Sequence, residues 1–271
     1  MLLKKKEKFI VIVGFISLVA FFTIYDLPFS NLIANKDSQF GQFFYMFGEL
    51  PATFVGLASL ALLTVSFVSE GKIAYAITCG FATFIMGFII TFQMIRYFSL
   101  DLFPNILYGL VLSMIMIFGM NHLSDKKKKY LQIYAIIAFL TMALGILTPN
   151  LIKIIWARPR YRILDGSDIV FQAWFIPGGF TLDDNWKSFP SGHSAAATVS
   201  LVYLYLPQLY NRLKGKEKIL SFFIFTWIIL VMISRVVRGD HFMTDTLFGS
   251  GIVLLIFTLL HNYFLKNKKL I

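Results

Sequence analysis

Eight stretches of this 271-residue chain run for 15 to 23 residues without an Asp, Glu, Lys or Arg. They are Phe9–Tyr25, Ala52–Ser69, Ile73–Ile95, Leu102–Asn121, Tyr130–Ile152, Phe189–Asn211, Ile219–Ile233 and Thr246–Leu265. A helix needs about 20 apolar residues to cross a bilayer. The pattern predicts an all-α fold, a polytopic membrane bundle of about eight transmembrane helices, with residues 1–271 forming a single integral membrane domain. Composition agrees: 58% of residues are hydrophobic and 14% charged, where a soluble domain is nearer half and a quarter.

The first run follows Lys4, Lys5, Lys6 and Lys8, which resembles the start of a signal peptide. The run is long, and Asp26-Leu27-Pro28 follows it in place of a small-residue cleavage site. It is read as a retained first helix that ends near Tyr25.

A net charge of +11 raises the question of nucleic acid. The basic residues instead cluster in short loops: Lys4 to Lys8, Lys72, Lys126 to Lys129, Arg212 to Lys218 and Lys266 to Lys269. With the N-terminus inside, eight helices put every one of these groups on the same side, as the positive-inside rule requires. The charge thus reports topology and contact with anionic membrane lipids, and no nucleic-acid partner is expected. Cys79 is the single cysteine, which excludes a disulfide framework and leaves a small buried hydrophobe.

Two connections are long. Residues 26–51 carry the aromatic run Phe40, Phe43, Phe44, Tyr45 and Phe47, expected to lie in the membrane interface. Residues 153–190 are polar and face outward. Long loops translocate whatever their charge, but Arg235 and Arg238 occupy a short outer loop between apolar spans. Something anionic on that side would account for them, and the arginine fork matches phosphate oxygens.

Three segments meet at outer helix ends: Lys153-Ile-Ile-Trp-Ala-Arg158-Pro159-Arg160-Tyr161, Pro190-Ser191-Gly192-His193, and Ser234-Arg235 through His241 to Asp245. Ser191 is a good N-cap, and Gly192 permits close approach to helix-start N–H groups that hold anions. His193 stands beside them, where an imidazole can give a proton to a leaving oxygen. His241 and Asp245 are four apart, on one face of a helix. A carboxylate there can fix the imidazole tautomer and leave the other nitrogen to attack phosphorus. His122 and His261 read as surface or capping residues.

Together these segments resemble the three-part signature of the type 2 phosphatidic acid phosphatase superfamily: Lys, six residues, Arg-Pro; Pro-Ser-Gly-His; and Ser-Arg, five residues, His, three residues, Asp. The second and third match throughout. The first matches at Lys153 and Arg160, with Tyr161 in place of the proline and another Arg-Pro at Arg158-Pro159. The resemblance spans about residues 150–250, inside a catalytic core of about residues 130–265. It implies a nucleophilic His241 that becomes phosphorylated, oriented by Asp245, with His193 as acid and then base. Lys153, Arg160, Arg235, Ser191 and Gly192 would hold the phosphate, and Arg158 is a further candidate. No metal and no cofactor are implied. Family members have a six-helix core, so about two helices here would be additional, in the N-terminal half.

The expected function is hydrolysis of a lipid phosphate or pyrophosphate at the outer side of the cell membrane, with undecaprenyl pyrophosphate favoured. Phosphatidylglycerol phosphate, phosphatidic acid and a lipid A phosphate are the other substrates in view. One alternative is phosphotransfer to a lipid or sugar acceptor by the same residues. Another is a transporter or scramblase, which would require intramembrane charges that the spans lack.

Overall fold

The computed structural model describes residues 5–98, 101–164 and 169–266. Lys4, Asp165, Asp168 and the terminal lysines Lys268 and Lys269 lie outside the described residues. The chain forms helices α1 (Lys5–Ile33), α2 (Gln39–Phe47), α3 (Leu50–Ser69), α4 (Ile73–Phe98), α5 (Leu102–Asn121), α6 (Asp125–Trp156), α7 (Gly192–Thr198), α8 (Leu206–Leu209), α9 (Glu217–Val237) and α10 (Met243–His261). Among the described residues, seven helical runs are long and apolar enough to cross a membrane, containing α1, α3, α4, α5, α6, α9 and α10. The eighth expected stretch has another form. From Gly192 to Leu209 it is α7, then a tighter 3-10 segment Val199–Tyr205, then α8, rising roughly 30 Å in all. Its small residues Ser194 to Thr198 are buried, so this run threads the bundle centre.

Packing follows side-chain size. A Cβ on Gly249 would collide with the Ser191 carbonyl, so α10 lies directly against the turn that starts α7. α3 packs on α4 and α6, α4 on α5, α2 on α9, and α1 on α10. Large apolar side chains such as Phe9, Ile24, Phe81, Phe103, Phe118 and Phe222 face outward, as a lipid solvent allows. Cys79 is half-buried at the margin of a second apolar cluster built on Leu62, Leu63 and Leu131.

Two boundaries differ from the sequence reading. α1 does not stop at Tyr25; it continues through Asp26 and Pro28 to Ile33. The Asp26 carboxylate is buried against Arg158 and Thr244, so its charge does not force the chain out of the bundle. Pro28 costs the helix only the bond to residue 24. α6 stops at Trp156, with Ala157 left-handed at φ 44°, ahead of the Pro159 that restricts Arg158 to extended backbone. The aromatic run 40–47 is the short helix α2, held to α9 by Phe44 against Trp227.

Candidate active site

The ends of α3, α6, α7, α9 and α10 gather at one end of the bundle around a cavity of about 810 Å³. Arg160, Arg162 and Asp184, from the connection after α6, close on it. Arg160 N–H donates to the Asn185 carbonyl (2.8 Å), Arg162 N–H to that of Gly239 (2.8 Å), and Ser188 N–H to that of Arg158 (3.0 Å). Lys153, Arg160, Gly192, His193, Arg235 and His241 all line the cavity, as do Tyr45, Glu49, Arg162, Asp184, Arg238 and Asp240. A Cβ on Gly192 would lie 3.7 Å from the Lys153 ammonium, so the bare backbone there faces the cation across the space an anion would take.

Arg235 keeps two unpaired donors. It is 1% exposed, its Nη2 pairs with Asp240, and its Nε and Nη1 find no hydrogen-bond partner. Buried donors are rarely left so, and an oxyanion would complete them. Arg160 is more occupied: Nε donates to the Asp184 carbonyl (2.8 Å) and Nη2 to its carboxylate (2.9 Å).

Sequence reasoning missed the two carboxylates that place these arginines. Gly239, at φ 70°, turns the chain so that Asp240 folds back on its own motif. There Asp240 takes bonds from Arg235, from Arg238 Nε (3.0 Å) and from Arg162 Nη1 (2.8 Å). Burial would raise the Asp240 carboxyl, but Arg235 and its other cationic neighbours hold it below the usual carboxylate range. Asp184 is largely exposed; what desolvation it has opposes ionisation, and Arg160 and Arg162 still hold it below the usual carboxylate range. The Arg-Gly-Asp turn was a visible signal for Asp240; nothing local marked Asp184.

His241 precedes α10, so it does not share a helix face with Asp245. Its Nδ1 lies 2.7 Å from the Ser188 carbonyl and 3.7 Å from Asp245 Oδ2. The carbonyl can only accept, so Nδ1 carries the proton and Nε2 keeps its lone pair. Asp245 acts from behind: it accepts from the Ser188 hydroxyl (2.6 Å) and from the Phe242 N–H that opens α10 (2.8 Å). Burial, reinforced by Lys153 and Arg160, pushes the His241 pKa down to about 3 against the pull of Asp245. A neutral imidazole with a free Nε2 is the form that can attack phosphorus.

Two expected phosphate ligands do not line the cavity. Ser191 is buried, and its hydroxyl accepts from the Ser194 N–H (3.4 Å) and hydroxyl (3.1 Å) within its own helix turn. Arg158, proposed above as a further phosphate ligand, is turned away from the cavity altogether. Its guanidinium lies under the site, spent on Asp245, Asp26 and Thr244. His193 does face the cavity. Its Nδ1 is 3.2 Å from Glu49 Oε1, and its ring stacks on Tyr45 at 5.4 Å. Away from the site, His122 and His261 bond the Phe118 carbonyl and the Tyr205 hydroxyl.

Apolar helices long enough to cross a membrane, with a buried cationic pocket and two histidines at one end, define a multi-pass membrane protein with a basic cavity. Residues 134–269 match the PAP2 superfamily, and the chain belongs to that superfamily. No match was found among curated proteins or among solved structures. Superfamily membership supports a phosphoester hydrolase, and it brings Lys153, Arg160, His193, Arg235 and His241 into one matched segment. The Arg235→Lys protein keeps the charge but loses the fork. Its phosphate-ester turnover is expected to fall on the order of 100-fold; near wild-type turnover would remove Arg235 from phosphate binding.

Proposed function

We propose that the protein hydrolyses a lipid phosphate or pyrophosphate through a phosphohistidine, with undecaprenyl pyrophosphate the favoured substrate. The observation that carries this is the lining of the cavity, polar from some elements and apolar from others. Its polar end holds Lys153 and the unpartnered Arg235 nitrogens. It continues between α3, α4 and α6 as a slot lined by Met86, Ile89, Met142, Ala143, Ile146 and Leu147. A head group and an apolar tail fit that division; a small soluble ester would leave the slot empty.

In the first step the His241 Nε2 lone pair forms a bond to phosphorus. The bond from phosphorus to the leaving oxygen breaks, and that oxygen takes its electron pair and a proton from His193. In the second, a water oxygen attacks phosphorus and gives its proton to His193, while the phosphorus–nitrogen pair returns to His241. Lys153, Arg160 and Arg235, with the Gly192 amide, would carry the charge that builds on the phosphoryl oxygens. Ser191 and Asp245 would hold the backbone turn and His241 in place. No step requires a metal.

Purified protein in a chelator should release phosphate from a polyprenyl pyrophosphate faster than from phosphatidic acid, phosphatidylglycerol phosphate or a lipid A phosphate. Faster turnover of a tail-less ester than of every lipid would overturn the lipid reading. No release from any of them would overturn hydrolysis.

The site end is proposed to face outward, because Lys72, Lys126 to Lys129 and Arg212 to Lys218 occupy the opposite helix ends. In a Cys79→Ala background, an impermeant thiol reagent should label Phe180→Cys on intact cells and miss Lys127→Cys. The reverse pattern would invert the orientation.

A further inference from the structure

We propose that Glu49 is the positioning residue for His193, so that the acid of the reaction is completed by a segment far from the superfamily-matched residues. This rests on the reading of His193 as the proton donor. Glu49 lies between α2 and α3, immediately before Leu50. A carboxylate at such a helix start ordinarily turns to its own N–H groups, yet Glu49 makes no side-chain capping bond. Its Oε1 instead stands 3.2 Å from His193 Nδ1, across 144 residues of chain.

The segment is firmly held. Phe44 is buried against Trp227, the Trp227 indole N–H donates to the Gly48 carbonyl (3.4 Å), and the Asn35 N–H donates to Val237 (2.6 Å). α2 is thereby fixed to α9, and the Tyr45 ring is laid on the His193 imidazole, which also bonds the Tyr45 backbone. Arg238 and Arg235 lie over the same Tyr45 ring at 3.9 and 5.2 Å.

The chemistry asks for such a partner. Burial, and then the positive charges of Arg235 and Lys153, work against an imidazole that must carry a proton to the leaving oxygen. A carboxylate on Nδ1–H offsets them, selects Nε2 as the exchanging atom and steadies the imidazolium formed when water is deprotonated. His241 Nδ1 is held by the Ser188 carbonyl, with Asp245 behind it at 3.7 Å, so the two histidines are held by different devices.

The test compares leaving groups in a single turnover. With 4-nitrophenyl phosphate the leaving oxygen needs no proton; with n-octyl phosphate it does. In Glu49→Gln the nitrophenolate burst should stay within about twofold of wild type, while octanol release and phosphoenzyme decay slow on the order of 10-fold. His193→Ala should show the same selectivity, more strongly. Equal slowing of both leaving groups by Glu49→Gln, or no slowing of either, would overturn the assignment of Glu49. Equal slowing by His193→Ala would instead defeat the reading on which it rests. Should the Gln protein not fold, Glu49→Asp keeps the charge at shorter reach. A smaller defect confined to the octyl ester is then expected, and a uniform defect or none counts against the proposal.

Discussion

Arg158→Ala is expected to be the most destabilising single substitution in the polar end of the bundle, and to inactivate the protein without touching the cavity. The Arg158 guanidinium is completely buried. Its Nη1 donates to Asp245 (2.5 Å) and Thr244 (2.9 Å), its Nη2 to Asp26 (3.0 Å), and its Nε to the Gln172 carbonyl (2.9 Å). The Phe242 and Phe171 rings cover it at 4.3 and 5.5 Å. Removing it strands two buried carboxylates, a loss of about 3–5 kcal/mol. In a detergent-solubilised protein that is a fall in melting temperature on the order of 10 °C. Lysine would not repair it, because one ammonium cannot reach both carboxylates and the Gln172 carbonyl. Asp26→Asn in the Arg158→Ala background should recover part of the loss, since one stranded charge is then gone. Arg160→Ala, whose partner Asp184 is largely exposed, should melt much closer to wild type. A normal melt for Arg158→Ala would show that the buried network is not what ties α1 to α10.

Much of this arrangement was legible because it is local. The crossing helices follow from runs without charge, and the motif residues follow from spacing within three short segments. The central run from Gly192 was recognisable as apolar, but not its 3-10 portion, since β-branched and aromatic residues in Val199–Tyr205 fit either helix. Glu49, Tyr45, Asp26, Asp184 and Ser188 were not found, because each meets its partner across the fold and leaves no period in the chain. One of them did leave a faint signal. Asp26 is a carboxylate between apolar stretches, where an acid must find a partner, and the sequence reading ends α1 there instead. Arg158 misled for the converse reason: an Arg-Pro pair reads as motif, and only its burial reveals that it serves Asp245 rather than phosphate. The choice of Ser188 as the hydrogen-bond partner of His241 depends on how residues 153–190 fold back, which spacing does not encode.

His241→Ala should abolish turnover with any substrate, by at least about 10,000-fold, and should form no phosphoenzyme. The expectation stands on three features. Nδ1 is committed to the Ser188 carbonyl, burial and nearby cations keep the ring neutral, and Nε2 keeps its lone pair in a cavity that Lys153 and Arg235 also line. His193→Ala should behave in the opposite way. It keeps the nucleophile, so 4-nitrophenyl phosphate still phosphorylates the protein, but water is no longer activated and the label accumulates. Asp245→Asn should slow both steps, because one amide oxygen cannot accept from Ser188, the start of α10 and Arg158 as the two carboxylate oxygens do; its melting temperature should fall as well, since Arg158 loses one of its two carboxylates. The measurement is trapping with phosphorus-labelled substrate, followed by peptide mapping. A phosphohistidine is acid-labile and base-stable, which separates it from a phosphoserine on Ser188, Ser191 or Ser194. A label mapped anywhere but His241 would assign the nucleophile elsewhere. A His193→Ala protein that releases nitrophenolate in repeated turnovers yet never holds label would mean that water attacks phosphorus directly, with His241 serving only to bind.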